Sequence, residues 1–167
     1  MVHRAPGIRG ESMQRLLFGG VYGAVLASAL AAALDHDSGL PDPGYDAVWV
    51  LVAGLASAAA HGYAHAISHR TADGTPVTVH VVRSVLEEWP LVAAVLPTVA
   101  VLSASYAGWW SEDTALEVAL ALNTAALFGW GLWAARVTGQ GWASSCRVGG
   151  ADMLLGLFIV AANVLSK

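Results

Sequence analysis

The chain has 167 residues, of which 56% are hydrophobic and only 12% charged, with a formal net charge of -4 and a mean hydropathy of +0.59. Average soluble domains carry about 25% charged residues, so this composition cannot clothe a globular surface and points to an integral membrane protein whose first partner is the lipid bilayer. The length leaves room for a single transmembrane domain over residues 1–167, and no basic tail is present to recruit nucleic acid.

Five stretches, at about 16–34, 47–68, 91–108, 114–135 and 148–166, are apolar over close to the ~20 helical residues that cross a hydrocarbon core of ~30 Å. They predict an all-α, polytopic transmembrane helical bundle of five spans. Continuous apolar runs lack the alternation that a lipid-facing barrel strand requires. The first stretch is longer than the roughly 7–15 residues of a secretion-signal core, and Leu34-Asp35-His36 is not a small-x-small cleavage site. It is expected to stay as a signal anchor and first span.

Small residues recur every four positions in the first two spans: Gly19, Gly23, Ala27 and Ala31, then Gly54, Ala58, Gly62 and Ala66. Such faces let helix backbones approach closely, which is the main source of association once apolar burial no longer separates protein from lipid. The two helices are expected to pack on each other. Beside the second stripe runs a polar one, Ser57, His61, His65 and His69. Four residues advance a helix about 40° past one turn, so these groups form a gently curving ridge.

Between the second and third spans, Thr75-Pro76 suits a cap and first turn. The helix expected beyond it sets His80, Arg83, Ser84 and Glu87 on one face and Val79, Val82 and Leu86 on the other. That describes a short amphipathic helix at the membrane interface before the third span; alternation of Val77, Val79 and Val81 keeps a strand as the second option. Pro97 falls inside the third span. Ser111 is placed to cap the fourth, with Glu112 and Asp113 where negative charge suits the helix dipole. The strictly apolar part of the fifth stretch is short, covering 153–164 after Asp152, so a re-entrant or half-spanning last segment is the rival there. Cys146, in the expected loop 138–147, reads as a free thiol.

All seven arginines, Arg4, Arg9, Arg15, Arg70, Arg83, Arg136 and Arg147, lie before the first span, between the second and third, or between the fourth and fifth. The opposite loops hold Asp35, Asp37, Asp42, Asp46, Glu112 and Asp113 without a lysine or arginine. The positive-inside rule then puts the N-terminus in the cytoplasm, in a multi-pass cell-membrane protein.

With that orientation His61, His65 and His69 occupy the cytoplasmic half of the second span, level with Glu87 and Glu88 at the start of the third and Asp152 at the start of the fifth. Imidazole with carboxylate is a ligand set for a divalent transition metal such as zinc, iron or manganese, and the same groups can relay protons through an apolar bundle. Ser57, Glu117 and Asn123 are candidates for lining a route. Bland readings stand beside these. Glu87 can pair with Arg83 one turn earlier, Asp152 can cap the fifth helix, Asn123 can hydrogen-bond a neighbouring helix, and the histidines can serve packing alone.

Enzyme classes are constrained by missing partners. His61-Gly62-Tyr63-Ala64-His65 has the histidine spacing of an intramembrane zinc protease, but Gly62 stands where the general-base glutamate is needed. Six histidines are too few for the boxes of membrane desaturases. Ser57, His61 and His65 resemble the serine and histidine motifs of seven-helix ceramidase-type hydrolases, which carry them on separate helices. Five spans with ligands toward the cytoplasm resemble vacuolar iron transporters without their run of carboxylates. Arg15-Leu16-Leu17-Phe18-Gly19-Gly20 keeps the arginine and phenylalanine of the first span of lysosomal-type potassium channels and lacks the serine and aspartate. No family is assigned on these outlines. The leading expectation is translocation or sensing of a proton or divalent metal ion, in a homo-oligomer or larger membrane complex. The alternatives are a noncatalytic accessory or scaffold subunit and a metal-dependent lipid hydrolase.

Overall fold

Lipid offers no water to pair with peptide groups, so a chain this apolar satisfies its backbone within helices. A computed structural model describes residues 8–35, 41–68 and 77–165, and it holds six helices: α1 (Ile8–Leu34), α2 (Pro43–Ser68), α3 (Val77–Glu87), α4 (Trp89–Tyr106), α5 (Glu112–Val137) and α6 (Trp142–Leu165). His69, Thr75 and Pro76 lie outside the described residues. Five of the helices are long and apolar enough to cross a membrane; α3 is the short exception. The chain is thus a multi-pass membrane protein. Among the described residues there is no strand, and the valine alternation at 77–81 is absorbed into α3.

The ends of these helices follow local chemistry. Thr114 N–H donates to Ser111 Oγ at 3.3 Å, so serine caps α5 as its position suggests, with Glu112 and Asp113 in the first turn. Both α4 and α5 stop at a left-handed glycine. Gly108 has φ +83° and donates to Ser105 O while Trp109 donates to Ala104 O; Gly139 has φ +80° and donates to Arg136 O while Gln140 donates to Ala135 O. Each is the paired-bond ending that satisfies the last carbonyls and needs a residue without a side chain.

The second of these turns corrects the expected start of the fifth span. The chain reverses within Thr138–Gly141, so α6 begins at Trp142 rather than near 148 and runs 24 residues, a full span rather than a half one. Ser145 N–H and Ser145 Oγ both donate to Gly141 O, and Ser144 Oγ donates to Gln140 Oε1, which lets this polar first turn stay helical. Arg136 lies over the Trp142 ring at 4.5 Å and pins the corner. Cys146 is therefore on a helix, exposed and free, and Asp152 sits well inside α6 instead of capping it.

Packing places α4 at the centre on one side, in contact with α1, α2 and α5, while α1 touches all four other spans. The small-residue stripes of α1 and α2 do not chiefly meet each other, as the sequence suggests; both turn toward α4. A methyl group at Gly19 would stand 2.9 Å from Leu91 N, at Gly23 2.6 Å from Ala94 Cβ, and at Gly54 2.8 Å from Val95 Cγ2. Ala58 is buried on the same face, and Gly62 admits the backbone of α3 at Val85. The most extensive contact is α5 with α6, made through Gly131, Gly149 and Gly156. A buried cluster of Ala27, Ala31, Val50, Val95, Leu102 and Leu116 fills the middle.

Glycine here sets backbone distance, and two substitutions separate that role from mere tolerance. Gly62→Ala would put a methyl group 2.5 Å from Val85 Cα, and overpacking of this kind costs about 1–3 kcal/mol. Gly129→Ala meets nothing within 4 Å, and relief of glycine's helix penalty should leave stability unchanged or raised by up to about 1 kcal/mol. Thermal melting in detergent distinguishes the two.

Candidate functional site

The side of α2 next to its small-residue face carries the histidines. Because Gly19 and Gly23 press α1 onto α4, the neighbouring positions Phe18 and Tyr22, also four apart, are turned toward α2. His61, beside Gly62, meets them there. Its ring stacks on Phe18 at 5.0 Å and 3° and on Tyr22 at 5.5 Å and 14°, the two aromatic rings being 5.8 Å apart. His65 follows one turn later, edge-on to His61 at 5.7 Å and 83°. Ser57 and His61 are half-buried and His65 is exposed toward what is lipid or interface in a membrane.

The carboxylates expected beside this ridge are differently engaged. Glu87, the last residue of α3, forms ion pairs with Arg15 of α1 and with Arg83, the latter at 2.9 Å. The pairing with Arg83 follows from i, i+4 geometry; the pairing with Arg15 ties α3 to α1. Glu88 is buried in the tight turn between α3 and α4, where its backbone N–H donates to Val85 O and its carbonyl accepts from Leu91 N–H. Asp152 faces α5, its carboxylate against Gly131 and its neighbour Gly149 against Phe128. Since α2 packs on α4, α3 and α1 whereas α6 packs on α5 and α1, Asp152 and the histidines lie on opposite flanks. The expected convergence of three helices on one imidazole–carboxylate cluster is thus replaced by separate arrangements, and among the described residues no three His, Cys, Asp or Glu side chains are grouped to hold a metal ion.

The remaining polar candidates resolve into helix-to-helix contacts and a groove. Asn123 Nδ2 donates to Thr98 Oγ1 at 2.9 Å, a bond between α5 and α4 in which both side chains are buried. Other interior hydroxyls bond back to their own helix, Ser28 to Ala24 O and Thr124 to Leu120 O, each at 2.8 Å. Glu117 is exposed on α5 and lines a groove shared with α6.

Several participants had no place in the sequence reading. Phe18 and Tyr22 carry a legible signal, an aromatic pair four apart flanking Gly19 and Gly23. Thr98, an isolated hydroxyl in an apolar run, carries none until its neighbour is known. Comparison of the chain with known protein families, with curated proteins and with solved structures finds no match.

The Thr98–Asn123 bond offers a direct measurement. Hydrogen bonds between membrane helices average about 0.6 kcal/mol and reach about 1.7 kcal/mol. A double-mutant cycle of Thr98→Val and Asn123→Leu, followed by unfolding in mixed micelles, should return a coupling in that range; additive single effects would show that the two side chains do not interact.

Proposed function

We propose that this multi-pass membrane protein senses protons, with His61 as the titrating group and the α1–α2 contact as the element it biases. The observation that carries the reading is the stack of His61 on Phe18 and Tyr22. Imidazole is the side chain whose charge ordinarily changes between about pH 5 and pH 8. Neutral, it is one more aromatic ring in the stack. Protonated, it becomes a cation over two ring faces within ~6 Å, an attraction of roughly 0.5–2 kcal/mol. Acidification then strengthens the link between α1 and α2.

The surroundings favour this reading over translocation. Glu87 is already neutralised by Arg15 and Arg83, and Asp152 is on the far flank, so His61 has His65 beside it rather than a chain of carboxylates. A conducting path would call for a second copy of the chain. A divalent metal remains a reading of His61 and His65 as an i, i+4 pair, its further ligands coming from His69 or from another chain. A cytoplasmic position for this end belongs to the same proposal, through the arginines clustered there.

The test uses protein reconstituted in nanodiscs, with spin labels on α1 and α2 in a Cys146→Ser background. From about pH 8 to about pH 5 the inter-label distance distribution should shorten and sharpen, and His61→Phe, which keeps the stack and removes the charge, should abolish the response. A response that survives in His61→Phe, or a flat wild type, overturns the proposal and leaves the accessory or scaffold reading. Bound transition metal in the purified protein that disappears in His61→Ala would overturn it in favour of the metal site.

A further inference from the structure

On the flank away from the histidines, α5 and α6 line a groove of about 450 Å³ near the acidic end of the bundle. Leu120, Leu157 and Val160 line its body, and Asp35, Glu117 and Asn163 its polar part. Cavities of ~300–1,000 Å³ with apolar walls and a few placed polar groups are of the size that takes small molecules. We propose that this groove binds a lipophilic organic cation, a quaternary ammonium or phosphonium compound with an apolar body.

Charge complementarity singles out that occupant. Glu117 shares one helix face with Leu120, Ala121 and Thr124, so the helical period itself sets a carboxylate on the groove wall. Asp35, just past the end of α1, accepts a 2.7 Å hydrogen bond from Asn163 Nδ2, which orients its carboxylate at the α6 side. Asp42, Asp46, Glu112 and Asp113 lie at the same end of the bundle, while the arginines among the described residues lie at the other. Like-signed groups around a low-dielectric cleft focus the potential and draw in the opposite charge.

An uncharged acyl chain would fill the apolar part without complementing the negative charge, and an anion would be repelled. A small inorganic cation would gain the charge contact but would surrender a tightly held hydration shell to an apolar wall. A bulky organic cation is weakly hydrated, fills the groove, and meets the carboxylates where their attraction is least screened.

Tetraphenylphosphonium and tetraphenylborate make a matched pair of probes, nearly equal in size and shape and opposite in charge. Equilibrium dialysis against the full chain in phosphatidylcholine nanodiscs, with empty nanodiscs as the blank, should show saturable binding of the phosphonium and none of the borate. Glu117→Gln, a conservative change at an exposed position, should weaken phosphonium binding by roughly tenfold. Leu157→Trp, which fills the groove without altering charge, should abolish it. His61→Phe should leave it unchanged, so failure here is distinguishable from failure of the proton-sensing reading. Equal uptake of both ions, or unaltered phosphonium affinity in both Glu117→Gln and Leu157→Trp, overturns the proposal.

Discussion

Close approach of backbones through glycine and alanine is the contact on which this bundle depends. In lipid a buried leucine is no better solvated than an exposed one, so helices associate through van der Waals packing and interhelical hydrogen bonds. Gly19 and Gly23 bring α1 onto α4 at Leu91 and Ala94, Gly54 brings α2 onto Val95, and Gly131, Gly149 and Gly156 bring α6 onto α5. These contacts fix the rotation of each helix about its own axis. Once α1 and α2 both turn their small faces to α4 and α3, the shoulders beside those faces must meet, and the shoulders carry Phe18, Tyr22 and His61.

Polar groups then subdivide the molecule. The arginine-bearing end is tied by Arg15, Arg83 and Glu87 between α1 and α3 and by Arg136 on Trp142 at the α5–α6 corner. The middle is tied by Thr98 and Asn123 between α4 and α5. The acidic end is tied by Asn163 on Asp35 between α6 and α1. Buried polar groups are retained in apolar surroundings where they are paired, as Thr98 and Asn123 are between α4 and α5. Two chemically distinct flanks result, an imidazole stack on the α2 side and a carboxylate-rimmed groove on the α6 side, separated by the α1, α4 and α5 contacts.

Exposure agrees with a bilayer as the surrounding solvent. Only 17% of the most apolar stretch of α6 is buried within the bundle, and Leu154, Phe158 and Val164 project outward from it. In water such a surface would drive aggregation; in lipid it is the ordinary outer face of a span. Trp89 and Trp142 at one end and Trp49, Trp109 and Trp110 at the other stand where amphipathic rings settle at the two interfaces.

The number of spans, their helical nature, the serine cap of α5 and the absence of arginine from the aspartate-rich loops could all be read from the chain, because each depends on local composition or on neighbours three or four residues away. The start of α6 lies about six residues before the hydropathic boundary, since the reversal rests on Gly139 taking a left-handed conformation and on hydroxyls bonding within the first turn, a detail that hydropathy averages away. Which faces pair lay beyond the sequence altogether. Small residues advertise that a helix can be approached closely without naming the partner, and in a bilayer no apolar penalty tells one neighbour from another. Only the assembled bundle decided that α4 receives both small stripes, that Asp152 turns to Gly131, and that His61 spends its ring on Phe18 and Tyr22.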